Sequence, residues 1–154
     1  MAFTGCPGSR EMVIKRGEGT ESVGSSRPSQ LAQWPVQLHL VSPLAPYFAK
    51  ADVLLSADCV AYAMGDFHRD LLSGKSLAIA CPKLDSSAEV YVDKIASLCD
   101  DALINSLTVA VMQVPCCSGL VQIVKMAADK ATRKVPTKVM VIGLDGTVLR
   151  EDWL

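Results

Sequence analysis

The sequence predicts an α/β fold: a three-layer Rossmann-like sandwich on a mainly parallel sheet of four to five strands. Three observations predict it. Short apolar runs alternate with longer segments of helical period. Several of the runs are apolar on both faces, as strands covered from two sides must be. The chain has 154 residues, which suits one domain and would leave each half of a split short of core. No internal repeat divides it.

Each element has its own signal. Residues 1–33 are rich in Gly, Ser, Pro and charge and read as a loosely packed N-terminal segment ahead of a single α/β domain over 34–154. Val36–Val41 alternates and predicts a first strand, broken by Ser42-Pro-Leu-Ala-Pro46. A short helix follows over Tyr47–Ala51. Asp52–Ala57 is a compact apolar run and reads as a buried strand. Asp66–Leu72 predicts a helix, capped in part by Asp66. Ser76–Ala80 is the next buried strand. Ser86 or Ser87 caps a helix running to about Asp100, with Val90, Val92, Ile95, Leu98 and Cys99 as its apolar positions. Leu107–Met112 is a further strand, and Ser118–Ala131 a strong amphipathic helix with Leu120, Val121, Ile123, Val124 and Ala127 on one face. Lys138–Ile142 is the last central strand. Asp145-Gly146 marks a turn from which Thr147–Leu149 folds back as an edge hairpin.

Composition excludes several function classes. Lys and Arg number 15 against 16 Asp and Glu, a formal net charge of −1, without the basic surplus of a nucleic-acid footprint. Three Phe, three Tyr and two Trp are too few for a base-stacking platform. No apolar run approaches a membrane span, and the start lacks the basic-then-apolar order of a signal peptide. The expectation is a soluble, cytoplasmic protein that binds neither nucleic acid nor membrane.

Six cysteines are the unusual feature: Cys6, Cys59, Cys81, Cys99, Cys116 and Cys117. Without a secretion signal a disulfide scaffold is a poor reading, which leaves structural thiols, a redox centre or metal ligands. Cys59 follows the Asp52–Ala57 strand, Cys81 follows Ser76–Ala80, and Cys116 and Cys117 open the helix behind Leu107–Met112. All three are strand-to-helix loops, and in a parallel sheet these gather at the carboxyl edge, where open α/β folds bind ligands. Cys116 and Cys117, at a helix N-terminus, are predicted to favour thiolate. Pro82 and Pro115 stiffen the loops, Gly119 lets backbone approach a bulky ligand, and Lys83 offsets negative charge. Cys6 sits in a tight Gly5-Cys-Pro-Gly-Ser9 loop that could wrap a cluster. Cys99, inside a helix, reads as a buried structural thiol.

Thiolate-only donors favour an iron–sulfur cluster or zinc. No Cys-x2-Cys knuckle is present, and the donors are spread, with 22 residues from Cys59 to Cys81 and 35 from Cys81 to Cys116. A large cofactor at a sheet edge tolerates that spread better than one tetrahedral ion. The candidate ligands are Cys59, Cys81 and Cys116, with Cys6 or Cys117 completing the set. The expected cofactor is an iron–sulfur cluster of the 4Fe-4S or a related type, with zinc as the alternative.

Gly5-Cys-Pro-Gly-Ser9, Trp34-Pro-Val-Gln-Leu38, Ala57-Asp-Cys59 with Phe67-His68, Cys81-Pro-Lys-Leu-Asp85, Val114-Pro-Cys-Cys117 and Ile142-Gly-Leu-Asp-Gly146 occur in this order. Together, from Thr4 onward, they resemble a family of bacterial and archaeal iron–sulfur cluster-binding, ferredoxin-type oxidoreductases. In many members of that family the domain follows a ferredoxin module with two four-iron clusters. The resemblance implies that Cys6, Cys59, Cys81, Cys116 and Cys117 stand at the family's Cys positions. Met1 lies just ahead of the Gly-Cys-Pro-Gly motif, so a ferredoxin or other redox protein is expected to act in trans. Self-association stays open, as does whether the chain catalyses a reaction.

Other motifs weigh less. Ser73-Gly-Lys-Ser76 enters a strand rather than leaving one, and Arg69 stands where a phosphate loop needs Gly. Gly143-Leu-Asp-Gly146 reads as a hairpin turn. His68 reads as a surface or packing residue with metal ligation as the rival, and His39 as packed within a strand. No Ser/His/Asp order and no dinucleotide fingerprint appear. Two rival functions remain: a thiol-based or zinc-binding accessory module, and a small-molecule-binding α/β domain with incidental cysteines.

Overall fold

Strand-forming runs and helical segments alternate along the chain as the apolar pattern requires. In the computed structural model, which describes residues 10–15, 24 and 26–154, they build one five-stranded sheet and a small ribbon. Cys6 and much of the Gly/Ser-rich stretch after Lys15 lie outside the described residues. The ribbon pairs β1 (Met12–Val13) with β2 (Gln33–Trp34) in antiparallel fashion. The main sheet contains β3 (Asp52–Ala57), β4 (Ser76–Ala80), β5 (Ser106–Met112), β6 (Thr137–Ile142) and β7 (Val148–Trp153). Its spatial order is β4-β3-β5-β6-β7. The first four are parallel, and β7 returns antiparallel to β6.

The helices are α1 (Val60–Ala63), α2 (Ala88–Asp100) and α3 (Ser118–Lys130). α2 and α3 pack against each other on one face of the sheet. The β3–β4 connection covers the other face, where Phe67 and Leu72 line a cavity together with Ser56, Leu77 and Ile79. This is the three-layer α/β arrangement expected. Right-handed crossovers explain it: the path turns one way from β3 to β4 and the other way from β4 over β3 to β5, so the connections fall on opposite faces. The core is aliphatic, with Val53, Leu54, Val109, Leu120 and Ile142 sealed from solvent. Each such side chain contributes about 1.5–3 kcal/mol of burial.

Four local expectations differ from the structure. Val36–Val41 is not a strand: it makes one parallel bridge, Gln37 to Ile79, and then turns. Leu38 and Val41 are buried while Leu40 is 47% exposed, the three-residue spacing of a single turn rather than alternation. His39 accordingly lies in a turn and not a strand, exposed but with its ring edge-on to Tyr91, centroids 6.5 Å apart. Asp66 does not cap the next segment, because its carboxylate is held by Arg69 (2.8 Å) and Arg27. That segment is a wide π-turn over His68–Leu72, preceded by the unexpected short α1. Ser87 precedes α2 at φ 78° with no side-chain cap; capping needs an extended backbone there. On α2 the expected Val92, Ile95, Leu98 and Cys99 are buried, but Val90 is exposed and Tyr91 is buried beside it.

Candidate functional site at the carboxyl edge of the sheet

The order β4-β3-β5 reverses direction between β3 and β5, which opens a crevice beyond their carboxyl ends. Three thiol-bearing loops leave the sheet here. Cys59 precedes α1 and is exposed. Cys116 and Cys117 form a 3₁₀ turn with Pro115 ahead of α3; Cys116 is exposed and Cys117 buried. Cys81 lies one strand over, at the end of β4, and is half-buried.

The Cys81-Pro-Lys-Leu-Asp85 loop is a closed turn. The amides of Leu84 and Asp85 donate to the Cys81 carbonyl (3.2 and 2.8 Å). The Asp85 carboxylate accepts the Cys81 N–H (3.0 Å) and the Tyr91 hydroxyl (2.7 Å). Burial first, and then the Asp85 hydrogen bond, push the Tyr91 phenol far above its ordinary range. Tyr91 therefore stays a neutral donor and ties the loop to α2.

The loops also touch. A Cβ placed on Gly119 would lie 3.2 Å from Pro82 Cβ. Gly119 thus admits the Cys81 loop against the start of α3. Lys83 is exposed. A further loop joins from the β6–β7 hairpin: Gly146, at φ 85°, sits where a Cβ would meet the Ala63 carbonyl at 2.3 Å. The Asp145 carboxylate accepts the Thr147 amide and hydroxyl (3.1 and 2.8 Å), the hairpin turn predicted.

The electrostatics distinguish the thiols. Burial pushes the Cys117 thiol up, a Met112 backbone hydrogen bond works the other way, and the Cys116 and Cys59 thiols add to the rise. The expectation that the start of α3 makes Cys117 a thiolate is therefore corrected: loss of water outweighs the helix end. The same comparison puts Cys59, Cys116 and Cys117 in one electrostatic neighbourhood across the β3–β5 crevice. Cys99 is buried in α2 and raised by burial, as a structural thiol should be. Among the described residues, no three of His, Cys, Asp or Glu stand ready around a single metal ion.

Asp58, beside Cys59, went unnoticed in the sequence. Its Oδ1 is buried and has no hydrogen-bond partner among the described residues. Burial, and then the nearby Asp85 charge, raise its pKa. It borders a pocket of about 200 Å³ walled by Trp34, Tyr62, Phe67 and Ile79. The signal available was its place, one residue past a buried strand at the carboxyl edge. His68 is exposed, and its Nδ1 accepts the Gln30 amide (3.0 Å), so that nitrogen is occupied.

The loops at this edge are thiol-bearing, and their cysteines follow three different strands. Comparisons with known proteins address the fold and not the chemistry. A protein of Archaeoglobus fulgidus, named only as an uncharacterized protein, is 27% identical over 119 residues, which is 77% of this chain and 83% of that protein. No solved structure matches the chain. No helix among the described residues is long and apolar enough to cross a membrane. Residues 45–154 match the family described as Rossmann-like domain, and the chain belongs to that family.

Proposed function

We propose that this protein binds an iron–sulfur cluster at the carboxyl edge of its sheet and transfers electrons with a ferredoxin or other redox partner. The observation that carries this reading is the meeting of thiol loops from three successive strands at one crevice. Cys59 and the Cys116–Cys117 pair flank the β3–β5 opening, and the Cys81 loop packs on Gly119 at its side. The motif set that resembles the iron–sulfur family supplies these same residues.

Cys59, Cys81 and Cys116 would hold the group. Cys6 is the better fourth candidate than Cys117, whose side chain is buried and costly to ionise. The segment after β2 runs alongside β4, with Gln37 paired to Ile79 in parallel. β1 is antiparallel to β2, so its N-terminal end is the one nearer the carboxyl edge. The six residues from Cys6 to Met12 reach about 20 Å at most. A bound cluster supplies one-electron transfer at a potential set by burial and hydrogen bonds to sulfur. The chain's part is to orient the thiols, with Asp85 and Tyr91 fixing the Cys81 loop, and to keep water out of the crevice.

Zinc, the alternative, needs four donors at about 2.0–2.3 Å from one point. The spread of donors across three loops fits a larger group better. Anaerobic reconstitution of the full chain tests the reading. Iron and acid-labile sulfide in comparable amounts, with visible absorption lost in Cys59→Ser, Cys81→Ser and Cys116→Ser, is the expected result. Zinc without sulfide would overturn it.

A further inference from the structure

The outer edge of β7 carries a second message, independent of the thiol site. All six residues of the strand are exposed, and three are large and apolar, Val148 (40%), Leu149 (54%) and Trp153 (70%), with Leu154 (51%) just beyond. The opposite edge of the sheet is closed by the chain itself. There the Gln33 side chain pairs with the backbone of Leu77 on both sides (2.5 and 3.0 Å), and Leu38 and Val36 bond to Ile79. Among the described residues nothing pairs with the outer edge of β7, and an unpaired edge strand is a template for another strand.

We propose that β7 pairs with β7 of a second copy of this chain, antiparallel about a two-fold axis, so that one sheet runs through both protomers. The strand's own hydrogen bonding allows it. The Leu154 amide donates to the Thr137 carbonyl (2.9 Å). By the alternation of an antiparallel ladder, 150 and 152 also face β6, while the amides and carbonyls of Glu151 and Trp153 face outward; Leu149 is the extra residue where the register shifts between Val141 and Ile142.

A two-fold axis requires one residue to lie opposite itself. Centring on Arg150 sets guanidinium against guanidinium, and centring on Asp152 sets carboxylate against carboxylate. Centring on Glu151 places Arg150 opposite Asp152 of the other copy, twice. These are non-hydrogen-bonded positions, where side chains come closest. Trp153 of each copy lies toward the bulged end of the other strand, where Leu149 is exposed. The one like-charge contact, Glu151 against itself, is at the wider hydrogen-bonded spacing, and each Glu151 already has Lys138 Nζ at 3.5 Å. Within one chain Arg150 holds Asp152 at 2.6 Å; pairing lets each Arg bridge to the partner as well. The surface is self-complementary in this register, as a two-fold interface must be.

The test is mass measurement by light scattering across a concentration series of the full chain, without added metal. The expected result is a monomer–dimer equilibrium. Arg150→Glu should weaken it about tenfold or more, because two cross-strand pairs become repulsive, and Arg150→Glu combined with Asp152→Arg should restore it. Glu151→Cys should give a crosslink between the two copies at position 151 under mild oxidation, located by peptide mass mapping, whereas Leu149→Cys should not. A monomer throughout, a dimer indifferent to the charge reversal, or β7 occupied instead by a strand of a different protein would overturn the proposal.

Discussion

The two ends of the parallel sheet both use polar groups to hold loops, but they differ in what else they carry. At the amino end they are spent on holding loops. Asn105 Nδ2 donates to the Lys50 carbonyl (2.6 Å), and the Asn105 amide donates to the Ala51 carbonyl (2.8 Å). Arg133 donates to the carbonyls of Ile104 (2.6 Å) and Cys99 (3.3 Å). Asp100 takes the amides of Arg133 and Thr132 (2.7 and 3.0 Å). At the carboxyl end Asp58 Oδ1 is buried with no partner among the described residues, and two thiols are exposed. Loops are stapled at both ends, at the carboxyl end by Asp85 and Asp145, and among the described residues the exposed thiols belong to the carboxyl end. In parallel α/β folds ligands bind at the carboxyl end, and the contrast follows that division of labour.

Breaking the amino end should cost most. Arg133→Ala leaves the buried Ile104 carbonyl without its donor and should lower stability by about 2–3 kcal/mol, read from urea unfolding, with the same iron uptake per folded chain. At the reactive end Tyr91→Phe removes one hydrogen bond to a carboxylate and should cost about 1 kcal/mol, while speeding alkylation of Cys81 as its loop loosens. A Cys81 rate equal to that of the parent protein would show that Asp85 holds the loop alone.

The smallest effect has the opposite sign. Burial raises the Asp58 pKa in the folded state, so folding is disfavoured once the group ionises. That penalty is absent below the unfolded-state value near 3.9 and grows as pH rises through the folded value. Asp58→Asn should therefore stabilise the protein slightly at pH 7 and make no difference well below pH 4. A loss of stability at neutral pH would mean that the carboxylate has a partner.

Much of the fold was legible in the sequence. β3 and β4 match the predicted spans residue for residue, because strands buried on both faces are written as unbroken apolar runs. α3, β5, β6 and the returning hairpin follow with ends moved by a few residues. Val36–Val41 misled because one tight turn with Leu38 and Val41 inward imitates alternation. Tyr91 was hidden for a related reason: Val90 beside it satisfies the same helical pattern, and only packing decides which faces in. At the site, the cysteines were visible as a set because each follows a strand. Asp58, Tyr91 and the role of Asp85 were not, since their importance comes from burial and from partners distant in the chain. Nor does residue type reveal that the start of α3 loses to desolvation at Cys117.

The measurement that bears most directly on the reactive end is the iron and sulfide content of anaerobically reconstituted full-length protein, read with its visible spectrum. The account predicts both elements together, with absorption that disappears when Cys59, Cys81 or Cys116 is replaced by Ser. A colourless protein without iron or sulfide, or a coloured one unchanged by all three replacements, would contradict it.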